Sequence, residues 1–314
     1  MALKQVLDVY EVMDSAYVTG EDIVRLVKET GIEEASSVTV SGPRGTTDFL
    51  KIVIPGKQGK RRGKAAPTLG IIGRLGGLGA RPERIGFVSD GDGALAAIAA
   101  AMKLGLMARK GDQLPGDVII TTHICPHAPT RPHHPVPFMN SPIEFHTMNE
   151  QEKDEEMDAI LSIDTTKGNR IINTRGFAIS PTVKEGYILR ISEDLLDLMQ
   201  IVTGRFPAVF PITTQDITPY GNGLFHLNSI LQPCVSTTAP TVGVAITTEV
   251  AVPGCATGAT HLTDVEMVVR FSLEVAKAFT AGQCRFYDAE EFDRIQQLYG
   301  SLRHLQTAGQ QGSL

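Results

Sequence analysis

Long apolar runs are scarce in this 314-residue chain: the most apolar stretch, residues 94–102, ends at Lys103. A membrane-spanning helix needs about 20 predominantly apolar residues, so no membrane association is expected. The first ten residues carry charges and hold no unbroken apolar segment, which argues against a secretory signal peptide. Cysteine is sparse as well. Cys125, Cys234, Cys255 and Cys284 lie far apart with no CxxC spacing. That is a pattern of reduced thiols, and it predicts a cytoplasmic protein. Basic charge is not in excess, since 29 Lys plus Arg stand against 35 Asp plus Glu for a net charge of −6. Without a basic face, general nucleic-acid binding is not expected. Also missing are G-x-S-x-G, HExxH and Walker motifs, internal repeats, and any linker that would divide two domains.

What is present points to a large core. Hydrophobic residues make up 42% of the chain, too many for a disordered one. The 31 glycines and 18 prolines imply many turns. Apolar spacing predicts an opening helix through Leu3, Val6, Leu7, Tyr10 and Met13, then a helix over 21–29 capped by Thr19. Strands are predicted over 37–41, 48–54, 68–72, 85–88, 117–122, 159–163, 176–180, 208–212 and 241–247. Helices are predicted over 94–107, 150–158, 192–202, 222–230, 264–281 and 289–305, with Thr263 and Glu266 read as a capping box. Strands alternating with helices imply an α/β fold of three layers around a mostly parallel sheet. One domain over 1–305 is expected, with its first helices packed on the sheet and residues 306–314 as a tail.

In open α/β sheets, ligands sit beyond the carboxyl ends of the strands. Three predicted strands lead into ionisable groups there: Asp90 and Asp92 after the first, His123 after the second, Asp164 after the third. Parallel neighbours would bring these together, and a histidine with carboxylates suits one zinc or manganese ion. The competing reading of Asp90, Asp92 and Asp164 is that they start turns or cap helices. The segment Gly73-Arg74-Leu75-Gly76-Gly77-Leu78-Gly79 is not G-x-G-x-x-G, and Arg81-Pro82 follows it in place of a helix. Arg74 and Arg81 could instead hold a substrate carboxylate. Cys125 and His127 are candidates for a nucleophile and base, and Asn222 and His226 for lining the cleft. His261, directly before a helix, is read as structural.

The order of these segments resembles the co-catalytic zinc aminopeptidases of the phosphorylase/hydrolase-like fold. The resemblance runs through Ile71-Ile72-Gly73-Arg74-Leu75-Gly76, Ser89-Asp90-Gly91-Asp92-Gly93-Ala94, Ile119-Ile120-Thr121-Thr122-His123, Leu161-Ser162-Ile163-Asp164 and His261-Leu262-Thr263-Asp264-Val265-Glu266. It implies an aminopeptidase-like core and a metal-assisted hydrolase of a small amide or peptide-like substrate. The departures are in the ligands. Arg74 stands at the place of the first metal-binding histidine, Gly76 at that of its orienting aspartate, and His123-Ile124 at that of the glutamate pair. Asp90 falls near the bridging aspartate and Asp164 at a ligand aspartate. A binding protein on a degenerate peptidase fold, or a metal-free acid/base enzyme, are therefore the alternatives. Related enzymes assemble, which implies a homo-oligomer. Over most of its length the chain is most similar to the bacterial domain-of-unknown-function family 1177. Its segments Gly-Arg-Leu-Gly-Gly, Gly-Ala-Arg-Pro-Glu-Arg-Ile-Gly and Thr-His-Ile-Cys-Pro recur here at 73–77, 79–86 and 122–126.

Overall fold

The computed structural model describes residues 1–74, 76–79, 86–132, 138–212, 227–252 and 259–307. In chain order the elements are α1 (Leu3–Met13), α2 (Gly20–Lys28), β1 (Glu34–Gly42), β2 (Gly45–Ile54), β3 (Leu69–Gly73), α3 (Asp92–Arg109), β4 (Val118–Ile124), β5 (Thr130–Arg131), β6 (Phe138–Met139), α4 (Phe145–Glu152), β7 (Ala159–Thr165), β8 (Gly176–Ile179), β9 (Val183–Lys184), β10 (Tyr187–Ile188), α5 (Glu193–Thr203), β11 (Thr241–Thr247), α6 (Leu262–Thr280) and α7 (Ala289–Tyr299).

One sheet runs β1-β2-β4-β3-β7-β11-β9-β10, with β8 also paired to β11. Its centre, β4-β3-β7-β11, is parallel, and the flanking pairs are antiparallel. Almost every residue of the four central strands is buried. A parallel sheet needs cover on both faces, and its strands therefore read as near-continuous apolar runs.

Alternation along the strands assigns the two covering layers. Gly73 faces the Ala-rich start of α3, where an added Cβ would lie 2.6 Å from Gly93 O and 2.8 Å from Ala97 Cβ. The core on this side joins α1, α3, α5 and α6 through Val6, Val9, Leu95, Ile98, Leu195, Val265 and Val268. The opposite face holds Thr121, whose hydroxyl donates to Glu152 O of α4 at 2.6 Å, and Ser162, whose hydroxyl donates to Ile230 O. Ile230 belongs to a 3-10 segment, Ser229–Val235. The result is the expected three-layer α/β arrangement. By length and composition Ser89–Arg109 could cross a membrane, yet 78% of its most apolar window is buried inside the protein. It is the central core helix.

Several boundaries differ from the sequence reading. Residues 86–88 form no strand, and Ser89–Gly91 is a 3-10 turn that leads directly into α3. Val209 makes only an isolated bridge to Ile179 in place of a strand over 208–212. The acidic helix lies earlier than 150–158, at Phe145–Glu152, because its apolar contacts come from Met148. α6 begins at Leu262, so its N-cap is His261 and Thr263 lies inside the helix. The capping box is found instead at α2, where Thr19 and Asp22 exchange hydrogen bonds.

Candidate functional site

The carboxyl edge of the parallel strands gathers polar side chains into two groups, one on each side of the sheet. Gly73 pairs with both Thr122 and Ile163, so His123, Arg74 and Asp164 follow as one row across β4, β3 and β7. By strand alternation these three leave on the face that α4 covers.

Arg74 is almost fully buried, with 1% of its surface exposed. Its Nη1 donates to a Glu152 carboxylate oxygen and, at 3.2 Å, to Asn149 Oδ1; its Nη2 donates to Gln232 Oε1 at 2.8 Å. The other Glu152 oxygen lies 3.3 Å from His123 Nδ1. His123 Nε2 accepts the Gly76 backbone N–H at 3.0 Å, so the ring proton sits on Nδ1, toward Glu152. Both ring nitrogens are thus committed within the protein. Gly76 can only be glycine here, because a Cβ would fall 1.5 Å from His123 O.

The second group forms where the first turns of α3 and α6 meet the end of β7. Thr165 Oγ1 donates to Ser89 O at 2.8 Å and ties β7 to the turn before α3. Asp92 is fully buried. Its carboxylate accepts from Thr260 Oγ1 at 2.7 Å and from Lys167 Nζ at 3.2 Å. Burial pushes the Asp92 carboxyl up to about 7; the Lys167 ammonium pulls the other way, and the Asp90 carboxylate adds a small push upward. The residue after Thr260 is His261, whose Nδ1 stands 3.3 Å from Asp264 Oδ2. The His261 side chain is 50% exposed, while that of Asp264 is 2% exposed. His261 makes no side-chain cap bond. It stands at the N-cap position of α6, in the capping region as expected from sequence, as an accessible imidazole beside a buried carboxylate.

The expected metal ligands are therefore not assembled. His123 is held by Glu152 and Gly76, and the Asp92 carboxylate is paired with the Lys167 ammonium. Asp90 is half-buried in the Ser89–Gly91 turn, and Asp164 is buried with its Oδ1 accepting the Thr165 N–H at 2.6 Å. Among the described residues no cluster of three or more His, Cys, Asp or Glu could hold a metal ion. The donor set does not fit the zinc or manganese ion that the resemblance implied.

Other candidates also fall differently. Arg74 spends its terminal nitrogens on Glu152, Asn149 and Gln232, so it is not an open clamp for a substrate carboxylate. Cys125 is buried, with its thiol pushed up to about 11 by desolvation, and its Sγ donates to Thr46 O at 3.6 Å. A thiol so hard to ionise is a poor nucleophile. His127 is exposed. Arg81, Asn222 and His226 lie outside the described residues.

The fold has solved counterparts. The bottromycin maturation enzyme BotP aligns with a TM-score of 0.52 at 14% identity, over 90% of this chain and 70% of that one. A glutaminyl cyclase from an Acidobacteriales bacterium aligns at 0.51 and 12%, over 90% and 94%. The LapA aminopeptidase of Legionella pneumophila aligns at 0.51 and 11%, over 90% and 72%. At these identities the likeness shows the fold: an aminopeptidase and glutaminyl cyclase type of three-layer α/β core. No curated protein matches the chain in sequence. A family profile does, over residues 38–309, and the chain belongs to that family, described as protein of unknown function (DUF1177).

Proposed function

We propose that the protein turns over a small amide or peptide-like substrate by acid/base chemistry of its own side chains at the carboxyl edge of the sheet. The observation that carries this reading is the polar group Asp92–Lys167–Thr260 continued by the His261–Asp264 pair. Asp264 holds the His261 ring with its proton on Nδ1, which leaves Nε2 free to accept a proton. In the step envisaged, Nε2 takes a proton from water as the water oxygen adds to the amide carbon. The same proton then passes to the departing nitrogen as the C–N bond breaks.

The test is turnover of a panel of amides and short peptides, with and without a chelator. His261→Ala should lower kcat/KM by about a hundredfold or more, the usual share of a general base. Chelation should leave the rate unchanged. Full activity in His261→Ala would sink the assignment. The competing reading is metal-assisted hydrolysis, which the fold likeness to an aminopeptidase favours. It predicts about one zinc or manganese per chain by elemental analysis, and activity that a chelator abolishes and metal restores.

A further inference from the structure

The Arg74 group at the carboxyl edge of the sheet holds more donors than acceptors. Arg74, Asn149, Glu152 and Gln232 are all buried, at 1%, 0%, 0% and 1% exposure. A guanidinium only donates, so Asn149 and Gln232 turn their amide oxygens to it and their NH2 groups away. Among the described residues, three nitrogens of this group find no hydrogen-bond partner: Arg74 Nε, Asn149 Nδ2 and Gln232 Nε2. All three carry N–H. The acceptors, by contrast, are each engaged: the two Glu152 oxygens by Arg74 and His123, and the two amide oxygens by Arg74. Buried N–H groups are normally paired, and three around one guanidinium call for an acceptor. Both amides sit on anchored backbone. Asn149 O accepts from Ser236 Oγ at 3.4 Å, and Cys234 O, two residues beyond Gln232, accepts from Gln306 Nε2 at 2.8 Å.

The same group has no positive charge to spare. Glu152 offsets Arg74, and His123 Nε2 accepts the Gly76 N–H, which a doubly protonated ring could not do. The next side chain in the row, Asp164, is acidic. A buried anion here would stand unbalanced, so the acceptor that fits is an uncharged one. We propose that Arg74, Asn149 and Gln232 form a binding site for the carboxamide group of a small uncharged ligand. The ligand's carbonyl oxygen takes two of the spare N–H groups on its two lone pairs. Its own NH2 returns a hydrogen bond to Asn149 Oδ1 or Gln232 Oε1, each of which has a second lone pair. The place suits a ligand as well. Arg74 follows directly on β3, at the carboxyl ends of parallel strands, where such sheets bind ligands. The inference concerns binding alone and does not rest on turnover at His261.

The test is a titration of the full-length, nitrogen-15-labelled protein with acetamide, followed through the side-chain NH2 resonances. Those of Asn149 and Gln232 are identified by their loss in Asn149→Asp and Gln232→Glu. A probe of four non-hydrogen atoms should bind with a Kd of about 0.1–100 mM. The Asn149 and Gln232 N–H protons should move downfield along one binding curve, as donors that gain a hydrogen bond do. Acetate has the same shape and a negative charge, and should bind about tenfold more weakly or worse. Gln232→Glu keeps an oxygen for Arg74 Nη2 and removes the spare donor, so it should weaken acetamide by about tenfold or more. Asn149→Asp makes the same test if circular dichroism shows that Gln232→Glu does not fold, and the comparison of acetamide with acetate needs no variant. No movement of either resonance would mean that water satisfies these donors. That result, acetate binding as tightly as acetamide, or undiminished binding in the folded variant would each overturn the proposal.

Discussion

Glu152 neutralises Arg74 inside the protein: the guanidinium and carboxylate are in contact with 1% and 0% of their side-chain surfaces exposed. A charge taken this far from water is held only by its partner, and removing one member strands the other. Arg74→Met should therefore cost about 3–5 kcal/mol of unfolding free energy, read from urea denaturation. Arg74→Met with Glu152→Leu should cost clearly less than the sum of the two single changes. An unchanged midpoint for Arg74→Met would show that the pair carries no stability.

The Asp92 carboxyl, raised to about 7 from an ordinary 3.8, sets a pH dependence with a definite sign. Between those values the folded chain holds a proton that the unfolded chain has lost. The resulting stabilisation is complete below pH about 4 and is lost as pH rises through about 7. Asp92→Asn keeps an acceptor for Thr260 Oγ1 and Lys167 but cannot titrate. Its Tm should vary less than that of the wild type between pH 5 and pH 8. Parallel curves for the two proteins would remove Asp92 as the titrating group.

Burial pushes the thiols of Cys125, Cys234 and Cys284 up to about 11, 12 and 12. Thiolate is the reactive form, so at neutral pH all three should resist alkylation in the native protein and react once it is unfolded. Peptide mass mapping after a short iodoacetamide pulse reads this directly. Rapid labelling of Cys125 would reopen its candidacy as a nucleophile.

Gly93 is wedged against the strand ends. A Cβ there would lie 2.4 Å from Arg74 O and 2.6 Å from Ile163 O, and neither backbone atom can withdraw. Gly93→Ala should destabilise the protein by about 3 kcal/mol through overpacking, and should loosen the first turn of α3 that carries Asp92. Thermal unfolding measures it; a Tm within a degree of wild type would mean that α3 can shift.

Much of the fold could be read from local pattern. The apolar runs that became β3, β4, β7 and β11, and the Ala-rich stretch that became α3, are legible because a sheet covered on both faces demands continuous apolar strands. The site was less legible. The His261–Asp264 pair had a signal, since positions three apart share a helix face. It was missed because His261 was read on its own as a capping-region residue and not against Asp264, which the structure sets beside it. His123 was correctly placed at a strand end and Asp92 at the start of α3, though the strand expected before Asp92 does not form; their partners, Glu152 and Lys167, gave no local sign.

Composition and periodicity by themselves determined the α/β class and the large buried core. Those are properties of single segments, fixed by which residues prefer burial. Tertiary structure alone decided the charge partners. Arg74 meets Glu152 78 residues on, and Asp92 meets Lys167 75 residues on, only because the sheet order brings their segments together. Whether a buried charge faces a carboxylate, an ammonium group or an open cleft depends on that long-range register. The same register set the Lys167 ammonium against Asp92 and the Glu152 carboxylate between Arg74 and His123.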